Sequence, residues 1–263
     1  MLKAIKQSVV FVCAVLFTPL LRLIRETPVR VVMMYHGIEE KDVSNFERQM
    51  AYVSKKCCVV EPSRITTAPS DGKTRILISI IFDDAFVSVL EHGVPILESY
   101  GVPFGISVPM GHLGRQPTWT VFDGPAIDVE TVMTARQIEA LDKAGVEILS
   151  HSVAHTVLTD LEDDALKTEL VESKRALEKI IGHEISGICY PYGAHDTRVC
   201  NAAIHAGYQY GFTVEPQTVN RQSENMKLGR FEVTSSERMP FKLKVSGAYQ
   251  VKKYLQTLKR CFR

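Results

Sequence analysis

Two aspartates and two histidines are spaced so that they could bind a metal ion. Asp83 and Asp84 follow directly on the apolar run 76–82, and His151 and His155 lie four residues apart further along the chain. One carboxylate and two imidazoles form the ligand set of a catalytic zinc-type centre, which leaves a coordination position open for water. The second aspartate is then spare, and a carboxylate beside such an ion can take a proton from water. The four residues therefore favour a hydrolase over a structural metal site.

Each pair on its own has an ordinary structural explanation. Asp83 and Asp84 could cap a helix that starts near Val87, which is a common role for aspartate. His151 and His155 could be half-buried polar residues at the start of a helix. Because both pairs follow predicted strands of the same fold, their joint occurrence favours a shared site.

The elements around the aspartates restrict where such a site can lie. Adjacent side chains of a strand point to opposite faces, so Asp83 and Asp84 cannot both reach one site from within a regular strand. We therefore expect the strand to end at these residues. Barrels of parallel strands carry their catalytic groups at this carboxyl-terminal rim, and the unbroken apolar run 76–82 is typical of a strand buried on both faces.

Strands alternate with helices along most of the chain. A length of 263 residues suits one α/β barrel, so we predict a single domain built on parallel strands. The predicted strands are 29–35, 57–60, 76–82, 104–108, 146–149, 185–190, 210–214 and 228–233. The predicted helices are 45–55, 87–100, 134–144, 163–181 and 197–206.

The net charge and the cysteines indicate which partners and which redox compartment the protein has. There are 31 Lys and Arg residues against 30 Asp and Glu residues, so the net charge gives no case for binding nucleic acid. The six cysteines show neither a C-x-x-C pair nor a disulfide framework, which favours a reducing compartment.

Both termini carry features that are typical of contact with a membrane. Residues 1–26 contain an apolar stretch between basic residues, which we interpret as a retained anchor segment rather than a cleaved signal, with a helix packed on the barrel as the alternative. Residues 241–263 end in a basic helix candidate with one apolar face, which could lie on an anionic membrane or cap the domain. We expect a barrel over residues 27–240, associated with the inner membrane, with its cytoplasmic face favoured.

Four motifs make the chain resemble the polysaccharide deacetylases of the NodB-homology type, carbohydrate esterase family four. They are Tyr35-His36, Phe82-Asp83-Asp84, His151-Ser152-Val153-Ala154-His155 and Tyr190-Pro191-Tyr192-Gly193. The resemblance implies a distorted (β/α)7-type barrel and removal of N-acetyl groups from a sugar. It also implies site roles: a divalent metal held by Asp84, His151 and His155, Asp83 as the general base, and the backbone N–H of Tyr192 as a donor to the oxyanion. Zn²⁺ is the expected ion, with Co²⁺ or Ni²⁺ as alternatives.

The chain departs from the family pattern at two points. Cys189 stands where the family usually has an arginine that pairs with the base, and Arg230, before a late strand, is the expected replacement. The family's last histidine, which protonates the leaving amine, has no counterpart, since no histidine follows His205. For this general acid, His36 is the first choice and His195 the second.

The expected function is metal-dependent deacetylation of a cell-surface polysaccharide or glycolipid. Two alternatives remain open at this point. One is a deformylase of a lipid-linked formamido sugar, which needs the same site with a tighter acyl pocket. The other is a non-catalytic carbohydrate-binding protein, which the two departures from the family pattern would permit.

Overall fold

The protein folds around one curved sheet of parallel strands. The computed structural model describes residues 28–69, 75–119 and 130–250. Its strands are β1 (Val29–Tyr35), β2 (Cys58–Val59), β3 (Ile76–Phe82), β4 (Gly105–Val108), β5 (Glu147–Ser150), β6 (Gly187–Cys189), β7 (Tyr210–Phe212) and β8 (Phe231–Glu232). Seven of them run in the order β7-β6-β5-β4-β3-β1-β8, and β2 pairs with β3 beside this path. All of these pairings are parallel.

One short segment connects the two ends of the sheet. Leu228 bridges to β7 in parallel, and β8, three residues further on, pairs with β1. Residues 228–232 thus connect β7, at one end of the sheet, to β1, near the other end, as in a barrel with one irregularly paired region. The sequence prediction of an α/β barrel of parallel strands in a single domain is confirmed.

Six helices lie on the described chain and cover the sheet. They are α1 (Val43–Lys56), α2 (Val94–Ser99), α3 (Ala135–Lys143), α4 (Asp163–Ile181), α5 (Thr197–His205) and α6 (Met239–Val245). Helix α1 buries Phe46, Met50 and Val53, whose spacing places them on one face against the sheet. Helix α4 ends at Gly182, which has a φ of 83° and so takes the left-handed conformation that terminates many helices.

Local sequence signals locate the ends of some helices accurately. Thr134 and Gln137 form a capping box at the start of α3, as its sequence indicates. The helix predicted over 87–100 is helical from residue 87 to residue 99, but the segment Val89–Gly93 within it is π-helical, which the sequence does not predict. Helix α6 is not anticipated from the sequence, and it extends across the boundary expected at residue 240.

The predicted terminal segments fall largely outside the described residues. The anchor segment 1–26 and the basic helix candidate from residue 251 onward belong to the parts that the structure does not describe. Among the residues that it does describe, no helix combines the length and the apolar character that a membrane span requires.

Candidate metal centre

The two aspartates lie in the turn that ends β3. Asp83 continues the sheet, since its backbone N–H donates to Tyr35 O at 2.8 Å. Asp84 and Ala85 then adopt left-handed conformations with φ of 70° and 49°. Such conformations are unfavourable for residues other than glycine and are concentrated at functional sites. The turn lets both buried carboxylates stay at the same rim of the sheet, which a continued strand would not allow.

The two histidines lie in the loop that follows β5, at the same rim. Nδ1 of His151 lies 2.7 Å from Cys189 O, which fixes the ring and leaves Nε2 for the site. His151 Nε2 is 3.6 Å from Asp84 Oδ1, and His155 Nε2 is 3.2 Å from the same oxygen. Ser152 and His155 have φ of 61° and 54°, so this loop is also strained. The structure thus brings both imidazoles against one carboxylate.

This cluster fits a divalent metal ion. One donor atom from each of Asp84, His151 and His155 lies within 4.8 Å of the others, and all three side chains are buried. Bonds of about 2.0–2.1 Å at tetrahedral angles would separate such donors by about 3.3 Å, close to the two distances from Asp84 Oδ1. That oxygen has no hydrogen-bond partner among the described residues. Burial lowers the pKa of His151 to about 4, so its ring is neutral at neutral pH, as a ligand must be.

Asp83 is held apart from the cluster by an ion pair of its own. Its Oδ1 accepts hydrogen bonds from Arg230 Nη1 and from Ser107 Oγ, both at 2.7 Å. Arg230 is fully buried, and its Nε donates to Thr213 O at 2.9 Å. Burial would raise the pKa of Asp83, but the guanidinium beside it holds that pKa well below its usual range. Asp83 is therefore a carboxylate at neutral pH.

The arginine expected from the late strand thus contacts Asp83. Arg230 Nη1 also lies 3.3 Å from Cys189 Sγ. The thiol therefore occupies the space beside the ion pair, at the position from which the family's usual arginine would extend. In this chain the cation comes from the segment before β8 instead of from β6.

His36 and His195 differ in their surroundings. His36 follows directly on β1, whose last residue Tyr35 pairs with Phe82, so His36 leaves the sheet beside Asp83 at the site rim. His195 stacks on Tyr190, with ring centroids 5.7 Å apart. Of the two histidines singled out in the sequence, His36 is the one that follows a strand paired with β3, the strand that ends at the aspartates.

Aromatic rings surround His155, one of the candidate ligands. Tyr192 is half exposed, has a φ of 57°, and places its ring edge-on at 4.7 Å from that of His155. Trp119 stacks on the other side at 4.1 Å, with His112 against it at 4.7 Å. The sequence does not predict this contact between Trp119 and a candidate metal ligand.

Comparisons with known proteins fit this arrangement. A parallel barrel with an acid–histidine cluster and a second carboxylate at its rim has the features of a hydrolase. The chain belongs to the polysaccharide deacetylase family, whose model matches residues 70–211, more than half of its length. This confirms the resemblance seen in the motifs, and membership implies a hydrolase that acts on amide bonds.

Individual relatives are distant. YxkH of Bacillus subtilis strain 168, a candidate polysaccharide deacetylase, is 24% identical over 222 residues, covering 80% of this chain and 73% of its own. The poly-β-1,6-N-acetyl-D-glucosamine N-deacetylase of Staphylococcus aureus strain MSSA476 is 22% identical over 165 residues. That match covers 59% of this chain and only 53% of the S. aureus enzyme.

Solved structures share the fold. The Streptococcus pyogenes deacetylase PplD, in complex with acetate, superposes with a TM-score of 0.68 at 20% identity, covering 84% of this chain and 99% of its own. IcaB from Ammonifex degensii gives a TM-score of 0.65 at 19% identity, with coverage of 86% and 98%. At these identities the similarity establishes the architecture alone.

Proposed function

We propose that the protein is a metal-dependent N-deacetylase that acts on a sugar of a cell-surface polysaccharide or glycolipid. One observation carries the proposal: two carboxylates at one rim have different partners. Asp84 contacts two imidazoles, and Asp83 pairs with Arg230. Three ligands alone would be compatible with a structural metal site as well as with a catalytic one. A second carboxylate that is not a ligand supplies a proton acceptor beside the ion, which a catalytic site needs.

The proposed roles follow from these contacts. Asp84, His151 and His155 would hold the ion, which when bound polarises the amide carbonyl and makes water more acidic. Asp83 would take the proton from the attacking water, with Arg230 and Ser107 fixing the carboxylate. The backbone N–H of Tyr192, in its strained turn, would donate to the developing oxyanion.

We assign the general acid to His36 rather than to His195, because His36 follows the strand that pairs with β3 and so lies beside the aspartates, whereas the ring of His195 stacks on Tyr190. A general acid contributes about 10²–10⁴-fold to a rate. Turnover by a His36→Gln variant should therefore fall by about 10²–10⁴-fold, while His195→Gln should stay close to wild type. Full activity of His36→Gln would refute the assignment.

The function itself is tested by acyl release from a panel of N-acyl glycans. Poly-β-1,6-N-acetyl-D-glucosamine, the substrate in the name of the S. aureus relative, is the first to assay. Acetate release should stop with a chelator and return with added Zn²⁺. Formate release from a lipid-linked formamido sugar would instead indicate a deformylase, and zinc-loaded protein that releases neither acid would indicate a carbohydrate-binding protein.

We propose further that residues 1–26 hold the enzyme at the inner membrane. The support is compositional: an apolar stretch flanked by basic residues, with a basic segment at the other end of the chain. Recovery of the full-length chain in the soluble fraction after cell lysis would contradict this proposal.

A further inference from the structure

The loop that carries both candidate histidine ligands needs external support. It spans only residues 151–155, and two of its residues, Ser152 and His155, have left-handed conformations without being glycine. Backbone strain of this kind persists only where neighbouring groups hold the segment in place. The contacts of the loop backbone therefore determine whether the two imidazoles stay where they are.

One side of the loop rests on the turn after β4. Met110 N–H donates to Ser152 O at 3.0 Å, and Gly111 N–H donates to Val153 O at 2.8 Å. A Cβ at Gly111 would lie 2.8 Å from that same carbonyl oxygen, so the two backbones approach more closely than a side chain would permit. This contact satisfies carbonyl groups of the loop but none of its N–H groups.

The N–H groups on the other side are bound by helix α4. One oxygen of Glu169, Oε2, accepts from Val153 N at 2.8 Å and from Ala154 N at 2.9 Å. Ala154 is the residue directly before the candidate ligand His155. A single carboxylate oxygen thus binds two of the four peptide groups that lie between the two histidines.

The same face of α4 supports the start of the loop. Ser173 lies one turn beyond Glu169, and residues four apart share a helix face. Its hydroxyl accepts from Ser150 Oγ at 3.0 Å, and Ser150 Oγ in turn accepts from Ser152 N at 3.2 Å. Glu172, between them in sequence, is instead exposed and pairs with Arg175.

We propose that Glu169 is a positioning residue for the metal centre: through two backbone hydrogen bonds it holds His151 and His155 at ligand distance from Asp84. The inference rests on the proposed metal dependence. Without this acceptor, the N–H groups of Val153 and Ala154 turn toward water and the strained loop relaxes. The two imidazoles then no longer converge on Asp84 without reorganisation, which weakens metal binding.

Two variants of similar size separate the hydrogen bonds from the charge. Glu169→Gln keeps an oxygen acceptor but loses the charge, and Glu169→Met loses both. Groups that orient a metal ligand typically change affinity by about 10–100-fold, so the Zn²⁺ affinity of Glu169→Met should fall by about 10–100-fold while Glu169→Gln stays near wild type. Glu172→Met on the exposed face is the matched control and should bind as wild type does.

The readout is metal binding rather than turnover. Zn²⁺ affinity is measured by calorimetric titration, and the visible spectrum of the Co²⁺-loaded protein reports the coordination geometry. Glu169→Met should show an altered Co²⁺ spectrum, and Glu169→Gln the wild-type one. Because Ala154 is exposed, water can reach the released N–H groups, so we expect Glu169→Met to fold. Glu169→Ala, which also lacks the acceptor and admits water more easily, serves as a further test if Glu169→Met does not fold.

The outcomes separate the positioning role from the proposed function. Wild-type affinity in Glu169→Met or Glu169→Ala would overturn the positioning role alone. Equal losses in Glu169→Gln and Glu169→Met would also overturn it, because the effect would then come from charge. Wild-type protein that binds neither Zn²⁺ nor Co²⁺ would contradict the metal dependence itself, and the positioning role with it.

Discussion

An Asp84→Ala variant should lose both divalent-ion binding and acyl release. Asp84 is the only carboxylate in the candidate ligand set, and both imidazoles approach its Oδ1, at 3.2 and 3.6 Å. Removing a group that merely orients a ligand costs about 10–100-fold, and removing a ligand itself should cost more. We therefore expect a fall in Zn²⁺ affinity and in turnover of more than about 100-fold, measured by metal content after dialysis and by acetate release.

Stability distinguishes this loss from simple unfolding. The side chain of Asp84 is buried, and its Oδ1 has no hydrogen-bond partner among the described residues. Such a group is retained at a cost in folding free energy, because the two imidazoles that face it replace its lost hydration only in part. The metal-free Asp84→Ala protein should thus unfold at a temperature no lower than that of metal-free wild type.

A second aspartate–histidine pair supplies the control for Asp84. Asp142 Oδ1 lies 2.8 Å from His183 Nε2. The side chain of His183 is 58% exposed, so this pair differs from the buried candidate ligands. Asp142→Asn should leave Zn²⁺ binding and turnover unchanged. An Asp84→Ala variant that keeps its metal and its activity would remove Asp84 from the ligand set.

The parts of the site that are predictable from sequence are those built by short segments. The apolar run before Asp83 and the four-residue spacing of His151 and His155 are local patterns, and strand ends of a parallel sheet meet at one rim. Arg230 lies 147 residues from Asp83 in the sequence, so no local pattern connects the two residues. It was a candidate only because the family's usual arginine is missing. Glu169 carries no signal at all: in the sequence it is one of several acidic residues on a surface helix.

The same distinction holds for the fold. Helix α4 was predictable to the residue, because Gly182 ends it and its apolar positions repeat at helical spacing. Strand β8 is only two residues long, and its extent depends on pairing with β1, at the opposite end of the chain. Pairing between distant segments sets where strands begin and end, so the strand predicted over residues 228–233 is longer than the strand observed.

Replacing Asp83 by Asn should abolish most turnover while leaving the metal bound. Asparagine keeps the shape of the side chain and can still accept from Ser107 and Arg230, but it cannot take up a proton. A general base contributes about 10²–10⁴-fold, so kcat should fall by about 10²–10⁴-fold with little change in KM. Zn²⁺ affinity should remain near wild type, which separates this variant from Asp84→Ala. A variant that lost its metal instead would make Asp83 a ligand.

Replacing Arg230 should affect folding as well as turnover, because Arg230 and Asp83 form a buried ion pair. Both side chains are buried and joined at 2.7 Å, so Arg230→Met leaves an unpaired carboxylate in the interior. Breaking a buried pair from one side costs about 3–5 kcal/mol of folding free energy, measured by urea unfolding.

The double variant Asp83→Asn/Arg230→Met should recover part of that stability, because no unpaired charge then remains in the interior. It should recover none of the turnover. Equal stability of Arg230→Met and wild type would mean that the guanidinium does not compensate the buried charge of Asp83. Another residue at the rim would then have to act as the general base.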